Sequence, residues 1–594
     1  MPTVNIATHL KEMARRRPEQ LAVLFPAACD SVGRTAYTSY TFQRLDQDSD
    51  WLAEGLKKIG IGRGIRTVLM IPPSLEFFAM TFALFKVGAV PVLIDPGMGL
   101  KNLGRCLDEA EPKAFVGVPK AQLARRLFGW GKTTVNNVLT VGRNSLFNRL
   151  LAGRTAWWDG RAVLFYEDDP TDEPFRAAET TDEETAAILF TSGSTGIPKG
   201  VVYTHGTFAT QVELLKTTFG IEPGEVDLCT FPLFALFAPA LGMTSIVPRM
   251  DFMRPALVDS SEILGPVEEF NVTNLFGSPA LLNRVGRHCD LTDLFHSLPD
   301  CYTANEIEGA LQRSLQQMQL KSFRRVLSAG APVSPAIIER FSKLLAPGVK
   351  IFTPYGATEA LPVAVIGSDE ILAETRHKTA QGAGTCVGRP VEGVQVSIIR
   401  ISDVAIAEWT DSLLLPLGEI GEIVVNGPNV TQEYFQRPDL TALAKILDPA
   451  TGRMRHRMGD LGYFDDQGRL WFCGRKSHRV VTPERTLFTE PVEGIFNAHP
   501  QVFRTALVGV MRGGVMQPVL CIELEAEARQ VSKAKLTEEL LALGAKHDTS
   551  RPIQTILYHD AFPVDIRHNS KIFREKLAVW ADKKLGPNWK GGPA

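Results

Sequence analysis

The sequence predicts an α/β protein: a large N-terminal part of α/β subdomains with a β-rich subdomain, then a small α+β module. Three observations predict it. Apolar runs of strand length alternate with helical stretches early in the chain, which argues for βαβ units on a parallel sheet. Short strands split by Gly-rich turns follow at 420–426 and 468–472. After Gly474 two longer strands and one helix form a separate pattern. At 594 residues the chain is also too long for a single core of about 100–200 residues.

In chain order, a short amphipathic helix is expected from about Asn5 to Arg17, and a second from Leu45 to Ile59. Arg66–Pro72 reads as a buried strand, Ser74–Ala89 as an apolar helix and Val90–Pro96 as another strand. The stretch from Lys120 to Asp182 is basic at first and acidic later, and reads as surface helices and loops. In the last module Val502–Val510 and Pro518–Glu525 are strands, and Ser532–Leu543 is a helix.

Composition excludes several classes. Net charge is −2, without the basic excess of a DNA-binding domain, although local basic patches remain compatible with it. Eight cysteines are scattered without C-x-x-C or zinc-like spacing, which fits free thiols in a reducing cytoplasm. No signal-peptide h-region and no run of 18 apolar residues occurs, so no transmembrane helix is expected.

The chemistry concentrates in Ala187–His205, where an apolar strand enters Thr191-Ser192-Gly193-Ser194-Thr195-Gly196, then Pro198-Lys199-Gly200. Glycines free backbone amides to face an anion, and hydroxyls and a lysine add donors. Such a loop suits a polyphosphate, but it is not a Walker A loop, since G-x-x-x-x-G-K-[ST] is absent. The one imitation, Gly131-Lys132-Thr133, has Arg126 where the first glycine belongs. Further along stand Ser328-Ala329-Gly330-Ala331-Pro332, Tyr355-Gly356-Ala357-Thr358-Glu359, Gly459-Asp460 and Gly474-Arg475.

In this order and spacing the motifs resemble those of the adenylate-forming superfamily: acyl-CoA synthetases, adenylation domains and luciferases. The resemblance covers nearly the whole chain. It implies that ATP and Mg2+ are bound and a carboxylic acid is joined to AMP. Thr191–Gly200 and Lys199 would hold phosphates, and Ser328–Pro332 with Tyr355 would frame adenine. Thr358 would meet phosphate, Glu359 would hold magnesium, and Asp460 and Arg475 would hold ribose. Met458 replaces the threonine of the family's T-G-D. The resemblance also implies a core of 1–474 and a mobile lid of 475–594 hinged near 475–478. Lys571, in Pro563–Leu577, is the expected lid lysine, a cation set against developing phosphate charge.

Two departures bear on substrate. In coenzyme A ligases of this superfamily the junction loop lines a pantetheine tunnel and carries a glycine, where this chain has Glu484; a bulky acid there would obstruct the cofactor. Thr230–Met243 is apolar after its threonine, with Ala235 where many relatives have histidine. Phe234, Ala235 and Phe237 could wall a long hydrocarbon or serve as ordinary core, and His205 is placed near that acyl entrance. The P-V-D-x-R-H-N-x-K ending is similar to that of the olefin-pathway β-lactone synthetases. That implies a 2-alkyl-3-hydroxy fatty acid whose own hydroxyl displaces AMP, with thiolase-like, reductase and decarboxylase enzymes of an olefin pathway as partners. A long-chain acyl-CoA or acyl-AMP ligase is the alternative. A hydrolase would need a nucleophile; Gly384-Thr385-Cys386-Val387-Gly388 imitates an elbow, but lies in a loop that resembles the family's G-x-V-G-R-P turn. Lys199, Glu359, Asp460 and Lys571 together argue against a non-catalytic nucleotide binder.

Overall fold

The structure, a computed structural model, describes residues 4–29, 35–143, 145–153, 155–158, 174–192, 198–231, 235–288, 320–565 and 571–592. Its strands form a large N-terminal domain and a smaller C-terminal region. The helix Leu75–Lys86 is apolar on every side and is buried from Phe77 onward, as an all-round hydrophobic helix must be. Its single cation, Lys86, is buried too, and Asp46 and Asp50 each hold its ammonium at 2.5 Å. Ser74 caps the helix by accepting from the Phe77 amide.

The flanking strands Arg66–Met70 and Val90–Ile94 pair in parallel, inside a seven-stranded sheet. That sheet is parallel except at one edge, where Thr185–Ser192 meets Pro198–Thr204 head to tail. At the other edge lie Asn137–Val141 and Ala156–Trp158. These two strands correct the reading of 120–182 as helices and loops only. Both are short, yet their Leu139, Val141, Trp157 and Trp158 are buried, so sheet pairing overrides a polar neighbourhood. Helices Pro119–Phe128 and Leu146–Ala152 do occur there, and the acidic run 159–173 lies outside the described residues.

The second sheet has fourteen strands. Its middle is parallel, through Val226–Cys229, Asn274–Phe276, Arg325–Leu327 and Lys350–Ala357. From Lys350–Ala357 outward it turns antiparallel and runs on through Ala360–Gly367, Thr385–Pro390, Leu470–Arg475 and Met454–Phe464. The β-rich part is therefore continuous with the α/β part. Beyond it, Val502–Arg512, Val515–Leu524 and Ile556–Tyr558 make a three-stranded sheet, with helices Thr489–Phe496, Lys533–Gly544 and Arg574–Leu585.

Candidate active site

The site residues stand on neighbouring strands and on the turns that join them, with Lys571 added from the C-terminal region. The segment 193–197, with Gly193, Ser194, Thr195 and Gly196, lies outside the described residues, as does the Ser192 side chain. Its two stems are fixed: Thr191 pairs with Lys199 across the antiparallel strands. Lys199 reaches Glu359 Oε1 at 2.5 Å, and its ammonium lies 4.1 Å from the centre of the Tyr434 ring. The Tyr434 hydroxyl donates to the same Oε1 at 2.6 Å.

Glu359 is held there by a tight hairpin. Ala357 pairs with Ala360, which leaves Thr358 and Glu359 as the turn. Gly356 is required, because a Cβ would come within 2.7 Å of the Ala360 carbonyl oxygen. The turn is clamped at both carbonyls. Tyr203 donates its hydroxyl to Thr358 O, and Thr431 donates its amide to Glu359 O at 3.0 Å and its hydroxyl at 3.1 Å. Burial alone would raise the Glu359 pKa; Lys199 foremost, with His456 and Tyr434, holds it well below the carboxylate range instead. Behind this turn sits buried Lys445, which donates to Thr431 O and, at 3.1 Å, to Thr431 Oγ1. Burial, opposed by Glu359, brings its pKa down to about 7.

The opposite wall is made by neighbouring antiparallel strands, on which Asp460 and Arg475 are register partners. Asp460 Oδ2 accepts from the Tyr355 hydroxyl at 2.7 Å, and Arg475 Nε faces Oδ1 at 3.1 Å. Met458 is buried in the core at 4% exposure. Ser328 follows the strand Arg325–Leu327; its amide is bonded to Phe352 O at 2.9 Å, while its buried hydroxyl oxygen lacks a protein partner. Ala329 and Ala331 are partly buried and Pro332 is exposed, and Gly330 takes a φ of 97°. An orphaned buried hydroxyl beside such a loop fits a polar ligand edge.

Lys571 comes from the C-terminal region. A backbone bridge between Val564 and Ile572 and a bond from the Asp565 amide to Lys571 O at 2.9 Å set its backbone. Burial first, then the charges of Arg475 and Lys199, hold its pKa below the usual lysine value. Lys199, Arg475 and Lys571 thus share one electrostatic neighbourhood, the demand a polyphosphate makes. Among the contacts that join the C-terminal region to the core in this orientation, Thr385 donates to Glu490 at 2.8 Å, Arg287 pairs with Glu525 at 3.0 Å and Lys476 pairs with Glu422 at 3.1 Å.

Among the predicted acyl-side residues, Phe234 lies outside the described residues. Ala235 is buried, and the Phe237 ring is 6.1 Å from Phe208, itself 4.7 Å from Tyr203. An aromatic row thus leads from the Thr358 turn to Phe237. His205 departs from the expectation. It is fully buried, accepts from the Ile6 amide through Nδ1 at 3.3 Å and meets Phe85 edge-on, so it belongs to the core and to no entrance. Burial brings its pKa down to about 4.

Glu484 is likewise displaced from its expected place. It is exposed at the turn of the hairpin Val480–Val481/Thr486–Leu487. A cavity of about 350 Å³ does lie at the junction, between Tyr463 and Arg485, but Glu484 does not line it, and the obstruction argument falls for this orientation. Cys386 lies in the strand Thr385–Pro390, not in a loop. Its buried thiol is pushed up to about 11, the reverse of what a nucleophile needs. Sequence reasoning missed Tyr203, although it stands inside Ala187–His205, and Thr431, Tyr434 and Lys445, which lie outside every motif.

A family model described as AMP-binding enzyme matches residues 10–435. The chain belongs to that family and is an adenylate-forming ligase. It is 48% identical over 581 residues to the olefin beta-lactone synthetase of Xanthomonas campestris, covering 97% of each chain. It is 47% identical over 586 residues to that of Stenotrophomonas maltophilia, covering 98% of each. Among solved structures, the amide bond synthetase McbA from Marinactinospora thermotolerans superposes with a TM-score of 0.72 at 23% identity, over 97% of this chain and 99% of that one. The O-succinylbenzoate coenzyme A synthetase of Bacillus subtilis, in complex with ATP and magnesium ion, gives 0.64 at 20%, over 96% and 98%. These two likenesses establish the fold. The family uses ATP. The donor set also fits Mg2+ on one condition. Among the described residues no group of three or more His, Cys, Asp or Glu side chains could hold a metal; Glu359 would hold the ion together with phosphate oxygens, as magnesium is commonly held.

Proposed function

We propose that this ligase activates a long-chain 2-alkyl-3-hydroxy fatty acid and closes it to a β-lactone. A carboxylate oxygen of the acid attacks the α-phosphorus of ATP; pyrophosphate leaves and an acyl-adenylate forms. The substrate's 3-hydroxyl oxygen then attacks the acyl carbon, the bond to AMP breaks, and the hydroxyl proton is released. Internal attack needs no acceptor site and benefits from high effective molarity. The observation that carries this reading is near-full-length identity of almost one half to two olefin beta-lactone synthetases.

In this reading the 191–200 loop and Lys199 bind the phosphates with Thr358, and Glu359 holds Mg2+, which neutralises phosphate charge. Ser328–Pro332 and Tyr355 frame adenine, and Asp460 with Arg475 takes the ribose. Lys571 stabilises the charge that builds in adenylation. Residues 475–594 act as a lid hinged at 475–478, and Phe237 and Ala235 border the acyl chain. The test is incubation with ATP, Mg2+ and a racemic 2-alkyl-3-hydroxy fatty acid, with and without coenzyme A, read by mass spectrometry and NMR. A coenzyme-A-independent product one water lighter than the acid, formed with AMP, is expected. A product that forms only with coenzyme A and carries it would make this an acyl-CoA ligase instead.

A further inference from the structure

The chain as a whole is nearly neutral, but one stretch is not. Between Pro112 and Trp158 stand eight lysines and arginines and no aspartate or glutamate, in a chain with 64 basic and 66 acidic residues. The structure folds this stretch onto the edge of the seven-stranded sheet, with helices Pro119–Phe128 and Leu146–Ala152 packed side by side. Arg126 marks their contact, donating to Leu151 O at 3.4 Å. On either side of that contact large apolar side chains face water: Leu127 is 71% exposed, Phe128 54% and Leu150 76%. Phe128 is held in place, stacked on buried Trp130 at 5.3 Å. Lys120, Arg126, Lys132, Arg143 and Arg149 are exposed around them.

We propose that this edge docks on an anionic lipid surface. Charge selects the partner's sign: a stretch of eight basic residues with no acid in its own sequence is attracted to an anionic leaflet within a Debye length. The apolar tips select its kind. Leu127, Phe128 and Leu150 gain nothing against a hydrated phosphate backbone such as RNA, but dip into the acyl boundary of a bilayer while the cations meet headgroups. No helix among the described residues is long and apolar enough to cross a membrane, so the attachment is peripheral. The argument uses none of the site residues and does not rest on the substrate reading.

The test is flotation of the full chain with vesicles of phosphatidylglycerol and phosphatidylcholine in equal parts, and of phosphatidylcholine alone. Binding to the mixed vesicles is expected, weaker by at least about tenfold on the neutral ones or in 0.5 M salt. Two variants divide the surface: Leu127→Glu with Phe128→Glu, and Arg126→Glu with Lys132→Glu. Each should lower vesicle affinity by about tenfold or more. Each should also keep its melting temperature and its ATP–pyrophosphate exchange with a short, water-soluble acid. No flotation with the mixed vesicles, equal flotation with neutral ones, or variants that float like the parent would overturn the proposal. So would capture by a poly-U column with the vesicles left unbound, which would assign the edge to nucleic acid.

Discussion

The two halves of the site are built differently. On the core side Lys199, Glu359 and Tyr434 interlock around one carboxylate oxygen, and the hairpin turn that carries Glu359 is clamped through both of its carbonyls. On the other side Lys571 is delivered by a short backbone bridge from the C-terminal region, which contacts the core through a few polar pairs such as Thr385–Glu490. A half locked by sheet register and buried ion pairs can bind nucleotide before chemistry starts. If 475–594 is the lid proposed above, a half brought in by that outlying segment adds its charge on closure, which is where differential stabilisation of a transition state belongs.

Glu359→Gln should break this contrast hardest. It leaves Lys199 facing an amide and removes the only carboxylate in the interlocked cluster, so ATP–pyrophosphate exchange should fall by about 10³-fold. An exchange rate within a few fold of the parent would show that Glu359 holds no metal. Lys571→Ala should cost less, about 10²-fold in kcat, with the KM for ATP and the melting temperature unchanged, since among the described residues its side chain makes no hydrogen bond or ion pair with the core. A matching rise in KM would move Lys571 from the transition state to ground-state binding. Tyr434→Phe removes the hydroxyl that donates to Glu359 and accepts from Lys199, each bond to a charged group worth about 1.5 kcal/mol or more, and should slow exchange by at least roughly tenfold. No change there would mean that Lys199 alone sets the Glu359 carboxylate.

How much of this was legible depended on whether chemistry or register made the site. Lys199, Glu359, Asp460 and Arg475 stand in motifs whose order and spacing resemble those of the family, and their positions could be read off the chain. Tyr434 could not, because it enters only when an isolated bridge lays it opposite Val201, a pairing across more than 200 residues with no local signature. The strands Asn137–Val141 and Ala156–Trp158 were hidden for a related reason. Edge strands this short have no periodicity to read, and their partners are set by the sheet. His205 misled in the opposite direction: a histidine just after a phosphate loop suggests chemistry, but the Thr204 cap that starts its helix turns the ring toward Ile6 and Phe85.

That buried histidine supplies the smallest effect and a separate check on the rigid half. Its Nδ1 accepts from the Ile6 amide, so a proton there would set donor against donor. Burial lowers its folded pKa to about 4, against an ordinary value near 6.5. Below pH 6.5 the unfolded chain therefore binds a proton that the folded chain refuses, and stability falls as pH falls until the folded pKa is reached. At pH 5.5, one unit below the unfolded value, this loss is about 1.4 kcal/mol. His205→Asn keeps an acceptor for Ile6 but does not titrate, so its stability should drop about 1 kcal/mol less than the parent's between pH 7 and 5.5. Denaturant unfolding at the two pH values checks this, with no expected change in exchange activity at pH 7.5. Parallel acid limbs in parent and variant would show that His205 accepts its proton in the folded core, and that the N-terminal segment is looser than the interlocked Glu359 turn.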